Sequence, residues 1–171
     1  TRVRSSAASD VYKRQIHYQS VIRVPFIWAD PATSGRGTRR NALTGTLDIA
    51  ATILDRANLA PFNGMQSVSL MAVIDGARDR LRDGLVIEEE GQRVYMGFPG
   101  RVRMRTLVTE RHRLSLYDGV DWGEFYDLQE DPHERVNLWG DRTEALRAAQ
   151  DRLIREMIAI AETSPRPSAL A

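Results

Sequence analysis

From about residue 84 the chain changes period. Apolar and polar side chains alternate, in short segments, as far as residue 128. Strict alternation puts every second side chain on one face, which suits a strand and not a helix. Residues 85–89 and 94–97 open the series. In residues 101–108 Val102, Met104 and Thr106 alternate with Arg101, Arg103 and Arg105, giving one face for burial and one basic face. Residues 113–117 alternate again, and Phe125, Tyr126 and Leu128 form a last short strand with a large apolar payload. The links, 98–100 and 118–123, are too short for crossover connections. The strands are therefore predicted to pair antiparallel in a sheet of about four.

Residues 124–138 join this sheet to a closing helix. Asp131 and Pro132 end the strand, since proline fixes φ and lacks an N–H. Asn137, Leu138 and Asp141 lead into an amphipathic helix predicted over about 143–162. Its apolar face is Leu146, Ala149, Leu153, Ile154, Met157, Ile158 and Ala161, and Asp141 stands at capping-box spacing from Glu144. Pro165 and Pro167 end the fold. For chemistry, 124–138 reads as a connector whose Asp, Pro and Asn serve the backbone, with His133 as a turn residue.

Ahead of the sheet, residues 21–29 are nearly all apolar and bounded by Asp30 and Pro31. Such a run suits a strand buried on both faces of a mostly parallel sheet. Pro25 restricts it to an edge or a strand start, and the Arg23 charge needs a partner if buried. Residues 32–41 form a polar, glycine-containing loop with three arginines. A helix is predicted over about 47–57, capped by Thr46, with Leu47, Ala50, Ala51, Leu54 and Ala57 at helical spacing, Asp48 in the first turn and Asn58 as C-cap. Residues 61–64 make a turn, and 69–76 a short helix with Gly76 just past its end.

At 171 residues the chain is long enough for a real core. Its net charge of +1 implies no nucleic-acid partner. It has no cysteine, which excludes disulfides, thiolate metal sites and a cysteine nucleophile and leaves the compartment open. No apolar run approaches the roughly 20 residues of a membrane-spanning helix. Of the 24 basic residues only Lys13 is lysine, an arginine preference that suits a high-GC genome. Lys13 lies in a stretch without apolar period, and residues 1–15 read as a segment foreign to the parent gene. On that reading the chain starts mid-protein, with the end of a catalytic domain over 16–83 and a C-terminal subdomain over 84–171. The upstream cover of 21–29 would then be missing, leaving its apolar side chains wet and the polypeptide prone to self-association.

The order of these segments carries a resemblance. Tyr18 and Gln19 followed by Ile22, Arg23, Val24, Pro25, Phe26 and Ile27 resemble the "YE…IRVPLI" strand of the sulfatase family. Residues 46–57 resemble its "VDLAPTLLDLAG" helix, and 64–70 its "MQGRSL" step. Residues 103–106 and 111–114 resemble "RMVRTDRYKL", and 124–138 resemble "ELYDLENDPGETNNL". The resemblance implies an α/β, alkaline-phosphatase-like fragment: the end of a mostly parallel sheet plus about four antiparallel strands packed on a closing helix. It implies an intact enzyme that hydrolyses small-molecule sulfate esters, with phosphonate or phosphate esters, or a free-standing binding module, as alternatives.

The family's nucleophile is a formylglycine made from a C/S-x-P-x-R motif, which this sequence lacks; Ser164, Pro165 and Arg166 have the wrong spacing. The family's calcium ligands also lie ahead of residue 16. One catalytic position has a counterpart: Lys13 stands five residues before Tyr18, where the family has a sulfate-binding lysine. It also falls in the segment read as foreign, and both readings stand. His17 is the candidate substrate-binding residue. His112, Arg103 and Arg105 lie on the subdomain that overhangs the family's site, or form an ordinary solvated face. No pair of the three histidines has metal-ligand spacing.

Overall fold

A computed structural model describes residues 17–33, 37–94, 98 and 100–167, without the side chains of 92 and 93. Lys13 and the residues 95–97 expected to form a strand lie outside the described residues. The fold comprises α1 (Gln19–Ile22), α2 (Asp48–Arg56), α3 (Met71–Ile74), β1 (Gly84–Val94), β2 (Arg101–Thr109), β3 (His112–Tyr117), β4 (Gly123–Asp127) and α4 (Glu144–Thr163).

The chain divides into two compact units. One holds residues up to Ile27 together with Ile87–Leu153; the other holds Trp28–Val86 together with the residues from Ile154 on. The first is organised by the four-stranded sheet, in order β1-β2-β3-β4. The β2/β3 and β3/β4 pairs are antiparallel, as their short links require. In β2 Val102, Met104 and Thr106 are buried while Arg101, Arg103 and Arg105 are exposed, so the alternation reads out as expected. Val102, Met104 and Tyr117 form a core cluster with Phe98 and Val120 packed against it.

In the second unit, α2 does not use a side-chain cap: Leu47 is its N-cap and makes no such bond. Thr46 is passed over because Asp48 does the work. Its Oδ2 accepts from Gly45 N–H at 2.8 Å, its Oδ1 from Val68 N–H at 3.0 Å, and Arg82 donates to both oxygens at 2.7 Å. Asp48 is buried, so the fork of Arg82 matters more than the macrodipole. Asn58 follows the helix with φ +57° and Gly76 follows α3 with φ +79°, the left-handed conformation that stops a helix. Leu47, Ala50, Ala57 and, in α4, Ile158 are exposed, so both apolar faces are narrower than their spacing predicts. Leu153 and Met157 are the buried core of α4.

The strand expected over 21–29 does not form. Residues 21 and 22 belong to α1, and the rest is extended without a ladder partner among the described residues. Backbone hydrogen bonds define a strand, and an apolar run cannot supply its own. Arg23 is exposed and needs no partner there. Val24 and Phe26 are exposed and Ile27 is 87% exposed, as expected for a segment without its cover. Amide exchange at residues 24 and 26–28 should therefore run near the unprotected rate, while residues 104–108 and 113–117 exchange far more slowly. Equal protection of the two segments in a monomer would contradict this.

Candidate functional site

The β2/β3/β4 register decides what shares a face. Thr106, Ser115 and Glu124 form one cross-strand row, and Val108, Arg113 and Tyr126 the next. Leu107, Leu114 and Phe125 form a row on the opposite face. Thus one face of the central strand is apolar and the other carries Arg113 and Ser115, both fully buried.

A buried guanidinium must be paired and hydrogen-bonded. Arg113 Nε donates to Glu134 Oε1, and Nη1 donates to Ser115 Oγ at 2.7 Å and lies 3.0 Å from Glu124 Oε2. Its Cζ sits 4.8 Å from the Tyr18 ring centroid and 4.7 Å from that of Tyr126, so the cation lies against both rings, which meet edge to face with centroids 6.2 Å apart. Burial alone would lower the Arg113 pKa, but the two carboxylates outweigh it and the group is held charged. Both carboxylates reach on to the segment 17–22. Tyr18 Oη donates to Glu124 Oε1 at 3.2 Å, and Gln19 N–H, in the first turn of α1, donates to Glu134 Oε2 at 2.7 Å. Burial and the Glu124 charge raise the Tyr18 pKa, so the phenol stays a donor.

The connector 124–138 delivers Glu134 to this point. Asp131 Oδ2 accepts from Arg135 N–H at 2.5 Å and Val136 N–H at 2.8 Å. Asn137 Oδ1 accepts from Phe125 and Trp139 N–H, both at 3.0 Å. Asp131 and Asn137 serve the backbone, as their types suggest. Glu134 does not: it is buried, with φ +53°, a conformation that side chains other than glycine rarely adopt.

His17 lies beside this cluster at 6% exposure. Its Nδ1 is 2.9 Å from Thr106 Oγ1 and its Nε2 3.3 Å from Glu89 Oε2. Burial, and secondarily the Arg113 charge, lower its pKa to about 4, so at neutral pH the imidazole is neutral and the Glu89 contact is not an ion pair. Both ring nitrogens are thus engaged within the chain.

The other candidates are placed elsewhere. His112 is buried and stacked on Phe125, ring centroids 5.3 Å apart, on the apolar face; burial lowers its pKa. Arg105 pairs with Glu88 at 2.7 Å, and Arg103 lies 3.8 Å from Glu90 and 3.9 Å from Asp118, so the Arg103–Arg105 end of that face is neutralised and solvated. His133 is an exposed turn residue, as read. Among the described residues no three His, Asp or Glu side chains converge to hold a metal ion. Sequence reasoning missed Arg113, Glu124 and Glu134. The available signal was an arginine in phase with Ser115 and Tyr117 on a strand otherwise destined for the sheet's centre.

The family model described as N-sulphoglucosamine sulphohydrolase, C-terminal, matches residues 9–162. The chain is 28% identical over 134 residues to a delta 4,5-hexuronate-2-O-sulfatase of Bacteroides thetaiotaomicron, covering 77% of this chain and 27% of that protein. It is 25% identical over 130 residues to an arylsulfatase of Clostridium perfringens, covering 74% and 25%. It thus spans about a quarter of the length of the curated relatives it matches. Among solved structures, a sulfatase from Bacteroides thetaiotaomicron superposes with a TM-score of 0.56 at 23% identity, over 70% of this chain and 25% of that one. A 2-O GAG sulfatase gives 0.56 at 25% identity, over 69% and 25%. A further protein, solved in complex with its substrate D-glucosamine-2-N,6-O-disulfate, gives 0.55 at 21% identity, over 69% and 24%. With the family match running through the sheet, the connector and most of α4, the chain belongs to the N-sulphoglucosamine sulphohydrolase C-terminal family and is a C-terminal portion of a sulfatase.

Proposed function

We propose that the protein to which this chain belongs hydrolyses sulfate esters of small molecules, sulfated sugars foremost. The observation that carries this is the continuous family match over residues 9–162, with relatives named for 2-O- and 6-O-sulfated sugars. The sequence contains no C/S-x-P-x-R motif, so these residues contribute no formylglycine nucleophile. A divalent cation such as calcium is part of the same proposal. The described residues offer no cluster of donors that would hold it.

What the chain supplies is a held segment. An ammonium at Lys13 would face the charge that develops on sulfuryl oxygens, where a preorganised cation is worth most. The residues that follow it, from His17 on, are tied to the sheet by Glu124, Glu134 and Arg113. His17 contributes by fixing that segment, since its two ring nitrogens are already engaged.

Two assays test the reading. The parent protein, completed from the genomic sequence upstream of residue 16, should carry the C/S-x-P-x-R motif and release inorganic sulfate from a 2-O- or 6-O-sulfated saccharide. The chain alone should release none from an aryl sulfate, with or without calcium. A parent without the motif, or calcium-dependent turnover by the purified chain, would overturn it.

A further inference from the structure

The bonds around His17 have a direction, and it is set from the far end. An arginine can only donate. Arg113 Nη1 therefore donates to Ser115 Oγ at 2.7 Å, and the Ser115 hydroxyl hydrogen must go elsewhere. Thr106 Oγ1, 2.7 Å away, is the acceptor it has. The Thr106 hydroxyl hydrogen, facing a Ser115 hydroxyl that already donates to it, has His17 Nδ1 as its remaining acceptor, at 2.9 Å. Nδ1 is then the unprotonated nitrogen, and the ring hydrogen sits on Nε2, where it meets the Glu89 carboxylate at 3.3 Å. Arg113, Ser115 and Thr106 are fully buried, so water does not compete for these bonds.

We propose that Arg113 is a positioning residue. Through Ser115 and Thr106 it holds His17 as the single neutral tautomer protonated on Nε2. Through Tyr18 and Glu134 it fixes Tyr18 and Gln19, five and six residues after position 13. Its functional weight rests on the sulfatase reading, because position 13 is where that reading puts the sulfate-binding cation. The tautomer itself does not depend on that reading.

The cluster is one relay and one clamp sharing an arginine. The relay orients a ring; the clamp holds the turn of α1 that carries Gln19. A merely structural arginine would stabilise the sheet without selecting which nitrogen of a histidine 96 residues away in sequence bears the proton.

Nitrogen-15 NMR of the full chain at pH 7 reads this directly, with His17 assigned by comparison with His17→Gln. The wild type should show a pyridine-type Nδ1 and a pyrrole-type Nε2. Because Arg113→Met may not fold, the decisive variants are Ser115→Ala, which cuts the link to Arg113, and Thr106→Val, which removes the donor to Nδ1. Each should give a mixed tautomer. A wild-type ring protonated on Nδ1 overturns the proposal. So does an unchanged signature in Ser115→Ala, which would leave Glu89 and Thr106 as the determinants without Arg113. Sulfate release by the parent is a separate readout, so failure of the sulfatase reading and failure of this one are told apart.

Discussion

Replacing Arg113 with methionine should lower the unfolding free energy by about 3–5 kcal/mol, the usual cost of removing one partner from a buried ion pair. Two carboxylates, Glu124 and Glu134, would be left buried without their cation. Tyr18 Oη and Gln19 N–H would remain as partners, but two neutral donors do not neutralise two charges. The triple variant Arg113→Met, Glu124→Gln, Glu134→Gln should regain most of the loss, because neutral side chains of similar shape carry no such penalty. By contrast Arg105→Met, on the solvated face opposite Glu88, should cost less than about 1 kcal/mol. Urea unfolding with an unchanged slope measures all three. A loss under 1 kcal/mol for Arg113→Met would mean that the cluster is not holding the sheet and α1 together.

Acid should weaken the chain through His17. In the unfolded chain this ring takes up a proton near pH 6.5; in the folded chain it does so only near pH 4, because burial and then the Arg113 charge oppose it. Between those values the unfolded state binds more protons, so stability falls as the pH is lowered from 6.5 to 4. Each tenfold change in proton affinity is worth about 1.4 kcal/mol, so the loss attributable to this ring is about 3 kcal/mol. Above pH 6.5 the contribution is complete. Glu89, the other titrating group against the ring, works in the opposite sense: burial raises its pKa, so its protonation on acidification favours the folded state. His112, also lowered by burial, adds to the acid loss. Comparing wild type with His17→Gln isolates the His17 part. Urea midpoints followed from pH 7 to 4 should converge as the pH falls, and parallel curves would contradict the assignment.

The relation between residues and structure differs from one part of the chain to another. The alternation of Val102, Met104 and Thr106 with three arginines specifies which face of β2 is buried, and the observed burial follows it. The antiparallel order follows from links too short to cross over. Gly76 past α3 and the span of α4 were equally local matters. Residues 21–29 show the limit: a run of apolar side chains predicts burial, but a strand needs a neighbour to bond, and among the described residues none is there.

The sulfatase resemblance was legible because it lies in the order of short motifs, and the family match over residues 9–162 bears it out. The site was much less so. Arg113 and Glu134 are 21 residues apart, His17 and Thr106 are 89 apart, and Gln19 and Glu134 are 115 apart. Periodicity sees neighbours at two, three or four residues, and these pairs exist only because the strand register and the turn at Glu134 bring them to one buried face. The sequence by itself determined the antiparallel strands, the helices from α2 on, their order and the family, since each depends on residues close along the chain. Only the tertiary structure decided that Arg113 would be a buried cation and His17 a buried neutral ring, because charge state follows from burial and from partners distant in sequence.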